Sequence, residues 1–209
     1  MGRVIEAKEF ESQKTVAMAR WLIGKLLVRR GVNGEVRRHR ILETEAYDGE
    51  RDLACHAARG RTERTAVMYG AAGFWYVYLC YGRHEMLNLV AGPEGWPAAI
   101  LIRGVEGASG PGRLTRLLGI DRALNRAAAA VGSGLWIEDD GFRPPPRFMA
   151  RGPRIGVDYA GPRWSQMPWR FCLVAPPGDR SGADSTPQVR RRIRGRRPAT
   201  AYPTTESGR

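Results

Sequence analysis

Residues 41–47 carry two carboxylates and an aromatic ring at alternate positions, after a short apolar start. Successive side chains of a β-strand point to opposite faces, so Glu43, Glu45 and Tyr47 share one face. Such a face lies either at a solvent edge or along a functional site. Both interpretations fit the pattern, because nearby arginines could balance a solvated acidic face: Arg37, Arg38 and Arg40.

Paired carboxylates are typical of enzymes that hydrolyse glycosidic bonds. In the standard pair the two acids approach the scissile bond from opposite sides. Glu43 and Glu45, as i and i+2 neighbours on one strand, would instead stand side by side. We therefore predict that one of them is a lone general base and that the other is a supporting or salt-bridged residue.

Aromatic and basic side chains follow the acidic strand. His56 lies in a polar loop, where a lone histidine is usually an ordinary surface residue. Tyr78 shares a strand face with Tyr76, while Tyr81 falls at a hairpin tip, where a ring suits either a wedge into a base stack or packing at a sheet rim. Arg103 ends a hydrophobic strand; it either emerges into solvent or needs a carboxylate or phosphate partner.

The net charge of the 209-residue chain is +13, which favours a nucleic-acid partner over an anionic membrane surface. Cys55, Cys80 and Cys172 are widely spaced, which argues against a disulfide framework or a zinc site. We see neither an apolar signal segment nor a membrane span, and so expect an intracellular protein without a metal or cofactor. Charge alone fits ribosomal and architectural proteins equally well.

Hydrophobic periodicity predicts one α+β domain over residues 1–177, followed by a basic, disordered tail over residues 178–209. The predicted helices cover residues 11–24, 111–118 and 121–129. The predicted strands cover residues 26–29, 35–47, 74–81, 86–91, 98–105, 135–138, 154–158 and 169–174. We expect these strands to form a curved antiparallel sheet with flanking helices and one protruding β-hairpin.

The order and spacing of the motifs are more specific than any one of them. The series comprises Glu-Thr-Glu-Ala-Tyr at 43–47, His56, Gly-Arg-Thr at 60–62, Met68, Tyr-Val-Tyr at 76–78, Tyr-Gly at 81–82, Asn88, Leu-Ile-Arg at 101–103, Gly-Pro-Gly-Arg-Leu at 110–114 and Trp-Arg-Phe at 169–171. It closely resembles the 3-methyladenine DNA glycosylases of the alkyladenine (AAG/MPG) type. The resemblance covers residues 8–175.

The resemblance implies a role for each matching residue. Glu45 would be the general base that activates water, and Arg103 would help to hold the reactive centre. Tyr81 would fill the gap that a flipped base leaves in the duplex. Four residues would line the pocket of the damaged base, with the fourth excluding normal guanine: Tyr47, His56, Tyr78 and Asn88.

The function implied by the resemblance is monofunctional excision of alkylated or deaminated purines from double-stranded DNA, without a cofactor, in a monomer located in the cytoplasm with the nucleoid. A non-catalytic nucleic-acid-binding protein of the same fold is the alternative, and a small-molecule hydrolase would have no use for the charge. The sequence departs from the family at Cys55, Thr65 and residues 83–85, and these departures concern the pocket rim and the lesion range.

Overall fold

The computed structural model describes residues 2–11 and 14–174. These residues form ten strands and four α-helices, joined by loops that contain single 3-10 turns. The strands are β1 (Arg3–Val4), β2 (Leu26–Arg30), β3 (Val36–Asp48), β4 (Trp75–Cys80), β5 (His84–Val90), β6 (Ala98–Val105), β7 (Ala108–Ser109), β8 (Leu135–Asp139), β9 (Met149–Gly152) and β10 (Arg170–Leu173). The helices are α1 (Ala7–Glu11), α2 (Thr15–Leu22), α3 (Pro111–Leu118) and α4 (Gly161–Ser165).

The strands form one open sheet with the order β1-β8-β2-β3-β6-β5-β4. A branch leaves this path at β3, which also pairs with β10, and β10 in turn pairs with β9. Every neighbouring pair runs antiparallel. The predicted α+β architecture, an antiparallel sheet with a few helices, is therefore confirmed.

Strand β3 connects the two halves of the sheet. Its first part pairs with β2, and its second part pairs with both β6 and β10. The register with β6 shifts between Ile41 and Thr44, which marks a β-bulge. Ile41 and Ala46 belong to the same buried apolar cluster although they are five positions apart, an odd offset that would place them on opposite faces of a regular strand. The bulge accounts for this, since it changes which residues of the strand face the core.

Helix α2 packs against β3 on the core side of the sheet. Its buried residues follow the i, i+3, i+4, i+7 spacing of an amphipathic helix: Thr15, Met18, Ala19 and Leu22. The Thr44 hydroxyl donates a 2.7 Å hydrogen bond to the Ala19 carbonyl and so ties helix to strand. Because neighbouring strand residues alternate, the acids on either side of Thr44 face away from this helix.

Strands β4 and β5 form a hairpin whose register runs from Trp75 opposite Leu89 to Cys80 opposite His84. Tyr81 begins the turn, with a positive φ of 49° and 93% of its surface exposed. The turn therefore presents a large ring to solvent, as the sequence predicts. Helix α3 lies beside this hairpin; Pro111 is in its first turn, and the left-handed Gly119 ends it.

The prediction of a helix over residues 121–129 is wrong. Asp121 does cap a turn, accepting a hydrogen bond from the Ala123 amide, but only the 3-10 turn Arg122–Leu124 follows. The next residues bond to the hairpin instead: Arg126 donates to the Trp75 carbonyl and Ala127 accepts from the Trp75 amide, both at 2.8 Å. These tertiary hydrogen bonds replace those that would have continued a helix.

The strand predicted over residues 154–158 is also wrong, because the strand in this region is β9 (Met149–Gly152). In the later segment, the Ile155 amide donates a hydrogen bond to Glu45 on β3, and Arg154 donates to Asp52 in the loop that follows β3. The tail predicted over residues 178–209 lies outside the described residues. Within residues 2–11 and 14–174, none of the helices has the length and apolar character needed to cross a membrane.

Candidate active site

Glu45 lies fully buried on β3, and each of its carboxylate oxygens has a defined neighbour. Oε1 accepts a 2.8 Å hydrogen bond from the Ile155 amide and lies 3.4 Å from Arg103 Nε. Oε2 accepts a 2.8 Å hydrogen bond from the Tyr47 hydroxyl. Burial raises the pKa of Glu45 above its ordinary value, while the charge of Arg103 opposes that shift. The solvated-face interpretation of the acidic strand is therefore wrong.

Glu43 stands beside Glu45 and has a different set of partners. Its Oε1 accepts hydrogen bonds from Arg103 Nε at 3.1 Å and from Arg170 Nη1 at 3.0 Å. A side chain at Gly104, on the neighbouring strand, would place its Cβ only 3.3 Å from the Glu43 Cβ, so a glycine there leaves room for this acid. Glu43 is thus the salt-bridged neighbour of a more lightly paired Glu45, as expected from their spacing.

The arginines of β3 form no ion pairs with Glu43 or Glu45 in the described part of the chain. Arg38 pairs with Glu138 and Arg40 pairs with Asp140. Arg103 instead reaches both acids from β6, where it is mostly buried. We expect from the sequence that a buried guanidinium at Arg103 needs a carboxylate partner. The structure supplies two such partners, Glu43 and Glu45.

The aromatic cluster beside Glu45 consists of Tyr47, His56, Tyr76 and Tyr78. The ring centroids of His56 and Tyr78 are 4.7 Å apart, and those of Tyr76 and Tyr78 are 5.1 Å apart. Tyr47 and Tyr78 pack against the same buried group of residues, which includes Met68 and Tyr76. The structure therefore brings three of the four predicted pocket residues together next to the predicted base.

His56 is half-buried rather than an ordinary surface residue, so that expectation is wrong. Its Nδ1 lies 2.9 Å from the Tyr76 hydroxyl. Burial, together with the charges of Arg64 and Arg59, lowers the pKa of His56 to about 4. The imidazole is therefore neutral near pH 7 and belongs to the wall of the aromatic cluster.

Asn88 lies directly opposite Tyr76 across the hairpin, and Tyr81 lies at the hairpin tip. Asn88 is buried on β5, and its side-chain amide donates hydrogen bonds to the Tyr76 carbonyl at 3.0 Å and the Met86 carbonyl at 3.3 Å. These bonds fix the amide relative to the strand that carries Tyr76 and Tyr78. Tyr81 remains at the exposed tip.

A buried ion pair supports the site, and no sequence pattern indicated it. Arg154 Nη2 donates a 2.8 Å hydrogen bond to Asp52 Oδ1, and both side chains are fully buried. The Arg154 guanidinium lies 4.8 Å from the Tyr47 ring centroid and 5.0 Å from that of Trp169. These residues are about 100 positions apart in the chain, so neither motif nor periodicity could connect them.

Two of the departures from the family pattern, Cys55 and Thr65, lie in the segment between β3 and β4. Cys55 is buried, and burial raises the pKa of its thiol to about 12, so it is a packing residue rather than a nucleophile. The buried Thr65 hydroxyl accepts a 2.8 Å hydrogen bond from the Thr62 amide and thereby closes the turn before Met68.

A groove of about 850 Å³ lies elsewhere, between α2 and the loop that leads into β9. Trp21, Pro144 and Phe171 are among its lining residues. Phe171 lies opposite Thr44 in the sheet, on the core side of β3. None of the predicted site residues lines this groove, and we assign it no part in the site.

Comparison with known proteins decides the family. The family described as methylpurine-DNA glycosylase (MPG) matches residues 9–177. The chain belongs to the methylpurine-DNA glycosylase family. It is therefore a hydrolytic DNA glycosylase, and the resemblance found in the motif series is confirmed.

Relatives of this glycosylase occur in bacteria and archaea. A protein of Anaeromyxobacter sp. (strain Fw109-5) is 44% identical over 91% of this chain and 98% of its own. A protein of Myxococcus xanthus is 46% identical over 78% of this chain and 87% of its own. A protein of Methanocella arvoryzae is 44% identical over 78% of this chain and 90% of its own. All three bear the name "Putative 3-methyladenine DNA glycosylase".

Proposed function

We propose that this glycosylase is monofunctional: it flips alkylated or deaminated purines out of double-stranded DNA and hydrolyses the N-glycosidic bond, leaving an abasic site. It acts as a monomer, in the cytoplasm with the nucleoid. The observation that carries the proposal is the buried Glu45 carboxylate, which lies between the Arg103 guanidinium and the aromatic cluster. A protein that only bound nucleic acid would have no need for this acid.

For a cationic alkylated purine, the chemistry requires one base and no strong acid. Glu45 takes a proton from water, the water oxygen attacks C1′, and the bond from C1′ to the purine nitrogen breaks with its electron pair leaving on the base. The sugar becomes cationic in the transition state, and the same carboxylate stabilises that charge. A purine methylated at N3 or N7 is already cationic, so it departs as a neutral base without prior protonation. A neutral lesion such as hypoxanthine departs as an anion and takes up a proton from solvent water.

Base flipping follows from the position of the site. C1′ of a stacked nucleotide is out of reach, so extrusion precedes chemistry, at a cost of a few kcal/mol. The exposed Tyr81 ring at the tip of the hairpin can fill the resulting gap and lower that cost. Tyr47, His56 and Tyr78 then offer electron-rich rings on which an electron-poor purine stacks.

A lyase mechanism would need an amine that forms a Schiff base with the sugar. The only lysines of the chain are Lys8, Lys14 and Lys25. Lys8 pairs with Glu6, and Lys25 is buried against Asp139 in the other half of the sheet. We therefore expect an intact abasic site as the product.

The proposal is tested with duplexes that carry one 3-methyladenine, 7-methylguanine, hypoxanthine or 1,N6-ethenoadenine base. Incubation with the enzyme should release the base, and later alkali should cleave the strand at the abasic site. Borohydride added during the reaction should trap no covalent complex. Release of none of these bases would reject the proposal, and a trapped complex would reject its monofunctional part.

The pH dependence of excision should follow Glu45. A general base acts only when deprotonated, so the single-turnover rate on a neutral lesion should fall as the pH decreases through the pKa of Glu45. Burial places that midpoint above the ordinary glutamate value of about 4.3. His56, with its pKa lowered to about 4, should add no transition near the ordinary histidine value of about 6.5. A transition there that His56→Asn abolishes would contradict this assignment.

Asn88→Ser should raise excision of guanine-type bases relative to hypoxanthine. We expect the amide, fixed by its bonds to the Tyr76 and Met86 carbonyls, to crowd an exocyclic 2-amino group. Serine is smaller and removes that obstacle, and the two substrates differ mainly in this group. Single-turnover rates on guanine-containing and hypoxanthine-containing mismatches measure the effect. An unchanged ratio would remove Asn88 from the discrimination.

A further inference from the structure

Arg64 lies against the aromatic cluster but has no part in the function described so far. Its guanidinium carbon is 4.8 Å from the centroid of the Tyr78 ring. Its charge also lowers the pKa of the neighbouring His56. Arg64 therefore acts electrostatically on two members of the aromatic cluster, Tyr78 and His56.

The loop that carries Arg64 is held in place by its neighbours. The hydroxyls of Thr62 and Thr65 lie 3.0 Å apart, and the buried Thr65 hydroxyl also donates to the Gly60 carbonyl at 3.2 Å. The Arg64 residue itself is exposed. A closed turn with an exposed arginine places the guanidinium over the Tyr78 ring, at the solvent-facing rim of the cluster.

The arginines nearest to Glu45 and Tyr47 are paired with carboxylates. Arg103 and Arg170 face Glu43 and Glu45, and Arg154 faces Asp52. Within residues 2–11 and 14–174, no carboxylate forms an ion pair with Arg64. Its positive charge is thus free to act on whatever base stacks against Tyr78.

We propose that Arg64 is a specificity-determining residue that disfavours cationic lesions relative to neutral ones. The inference rests on the proposed function, in which the aromatic cluster holds the flipped purine. N7-methylguanine in DNA carries a positive charge, whereas hypoxanthine and 1,N6-ethenoadenine are neutral at pH 7. The Arg64 cation repels a positively charged lesion. Because it also lies over the Tyr78 ring, it reduces the electron density that this ring offers to such a lesion.

The expected effect is moderate because Arg64 is exposed and water screens its charge. Removing the charge in Arg64→Gln should increase the ratio of 7-methylguanine excision to hypoxanthine excision by about three- to tenfold. Arg64→Lys keeps the positive charge and should leave that ratio within about twofold of the parent value. Both ratios come from single-turnover rates measured on the same duplex sequence.

Arg61→Gln is the matched control. Arg61 belongs to the same loop and also lies over a tyrosine, at 5.7 Å from the Tyr69 ring, but not over the rings of the cluster. Its loss should lower binding of undamaged and damaged DNA alike and leave the excision ratio unchanged. Ethenoadenine fluorescence, which reports unstacking of the flipped base, follows the neutral lesion independently of bond cleavage.

Two outcomes would overturn the inference. If Arg64→Gln lowers the rates on charged and neutral lesions equally, Arg64 is a phosphate contact or a structural residue. If Arg64→Lys changes the ratio as much as Arg64→Gln does, stacking rather than charge is responsible. In either case the enzyme still excises both lesions, so the failure is distinguishable from a failure of the proposed function, in which the parent enzyme would excise neither.

Discussion

Glu45→Gln lowers the single-turnover rate of base excision by about 10²- to 10⁴-fold and leaves binding of lesion-containing DNA nearly unchanged. The amide preserves the shape of the side chain and can still accept the hydrogen bond from Ile155. It cannot take a proton from water, and it brings no negative charge to the cationic sugar. Rates under saturating enzyme, together with binding measured on the same duplex, separate these two effects.

Glu138→Gln provides the matched control for this variant. Glu138 is also a buried glutamate that pairs with an arginine, but it lies on β8 beside Arg38, in the other half of the sheet. The same chemical change there should leave excision at the parent rate. Near-normal excision by Glu45→Gln would remove Glu45 from the role of base and would favour the alternative of a different water-activating group.

Arg154→Met destabilises the protein by about 3–5 kcal/mol, because it leaves the buried Asp52 carboxylate without its counter-charge. The Tyr47 ring also loses the guanidinium that lies 4.8 Å from its centroid. We expect the rate of excision to fall in proportion to the folded fraction. It should fall further because the Tyr47 hydroxyl, which donates a hydrogen bond to Glu45, is displaced. Urea unfolding, followed by circular dichroism, measures the change in free energy.

Two control variants show whether the effect is specific to the buried ion pair. Arg3→Met removes one partner of the surface pair with Glu9, where the loss of stability should be far smaller because water screens the pair. The double variant Asp52→Asn, Arg154→Met removes both charges and should recover part of the lost stability. An Arg154→Met protein as stable as Arg3→Met would mean that the buried pair contributes little.

The sequence predicted those parts of the fold in which local pattern and tertiary structure agree. Residues 98–105 and 111–118 have the bounds that hydrophobic runs and the Gly-Pro-Gly start suggest. The residues after Asp121 and the 154–158 segment do not, since their backbone groups bond to Trp75 and Glu45, which lie far away in the chain. Helix propensity and alternation contain no information about such partners.

The site shows the same division. The shared face of Glu43, Glu45 and Tyr47 follows from the period of a strand, and the exposed ring at Tyr81 follows from the hairpin turn. The Asp52–Arg154 pair and the position of Arg64 over Tyr78 join loops to strands. They depend on how 26 residues between β3 and β4 fold back over the sheet, which short-range spacing cannot specify.

The two-sided pairing of β3 has a consequence for amide hydrogen exchange. Residues 43–47 lie in a strand bonded to β6 on one edge and to β10 on the other, so their amides should exchange only when the whole domain unfolds. His56 and Arg64 lie instead on the irregular segment between β3 and β4, held by single turns, and should exchange through small local openings. Glu45 thus lies in the part of the protein whose amides should exchange most slowly. His56 and Arg64, on the other side of the aromatic cluster, lie in a segment whose amides should exchange rapidly. A purine could then be admitted by motion of the loop alone, without disturbing the carboxylate that activates the attacking water.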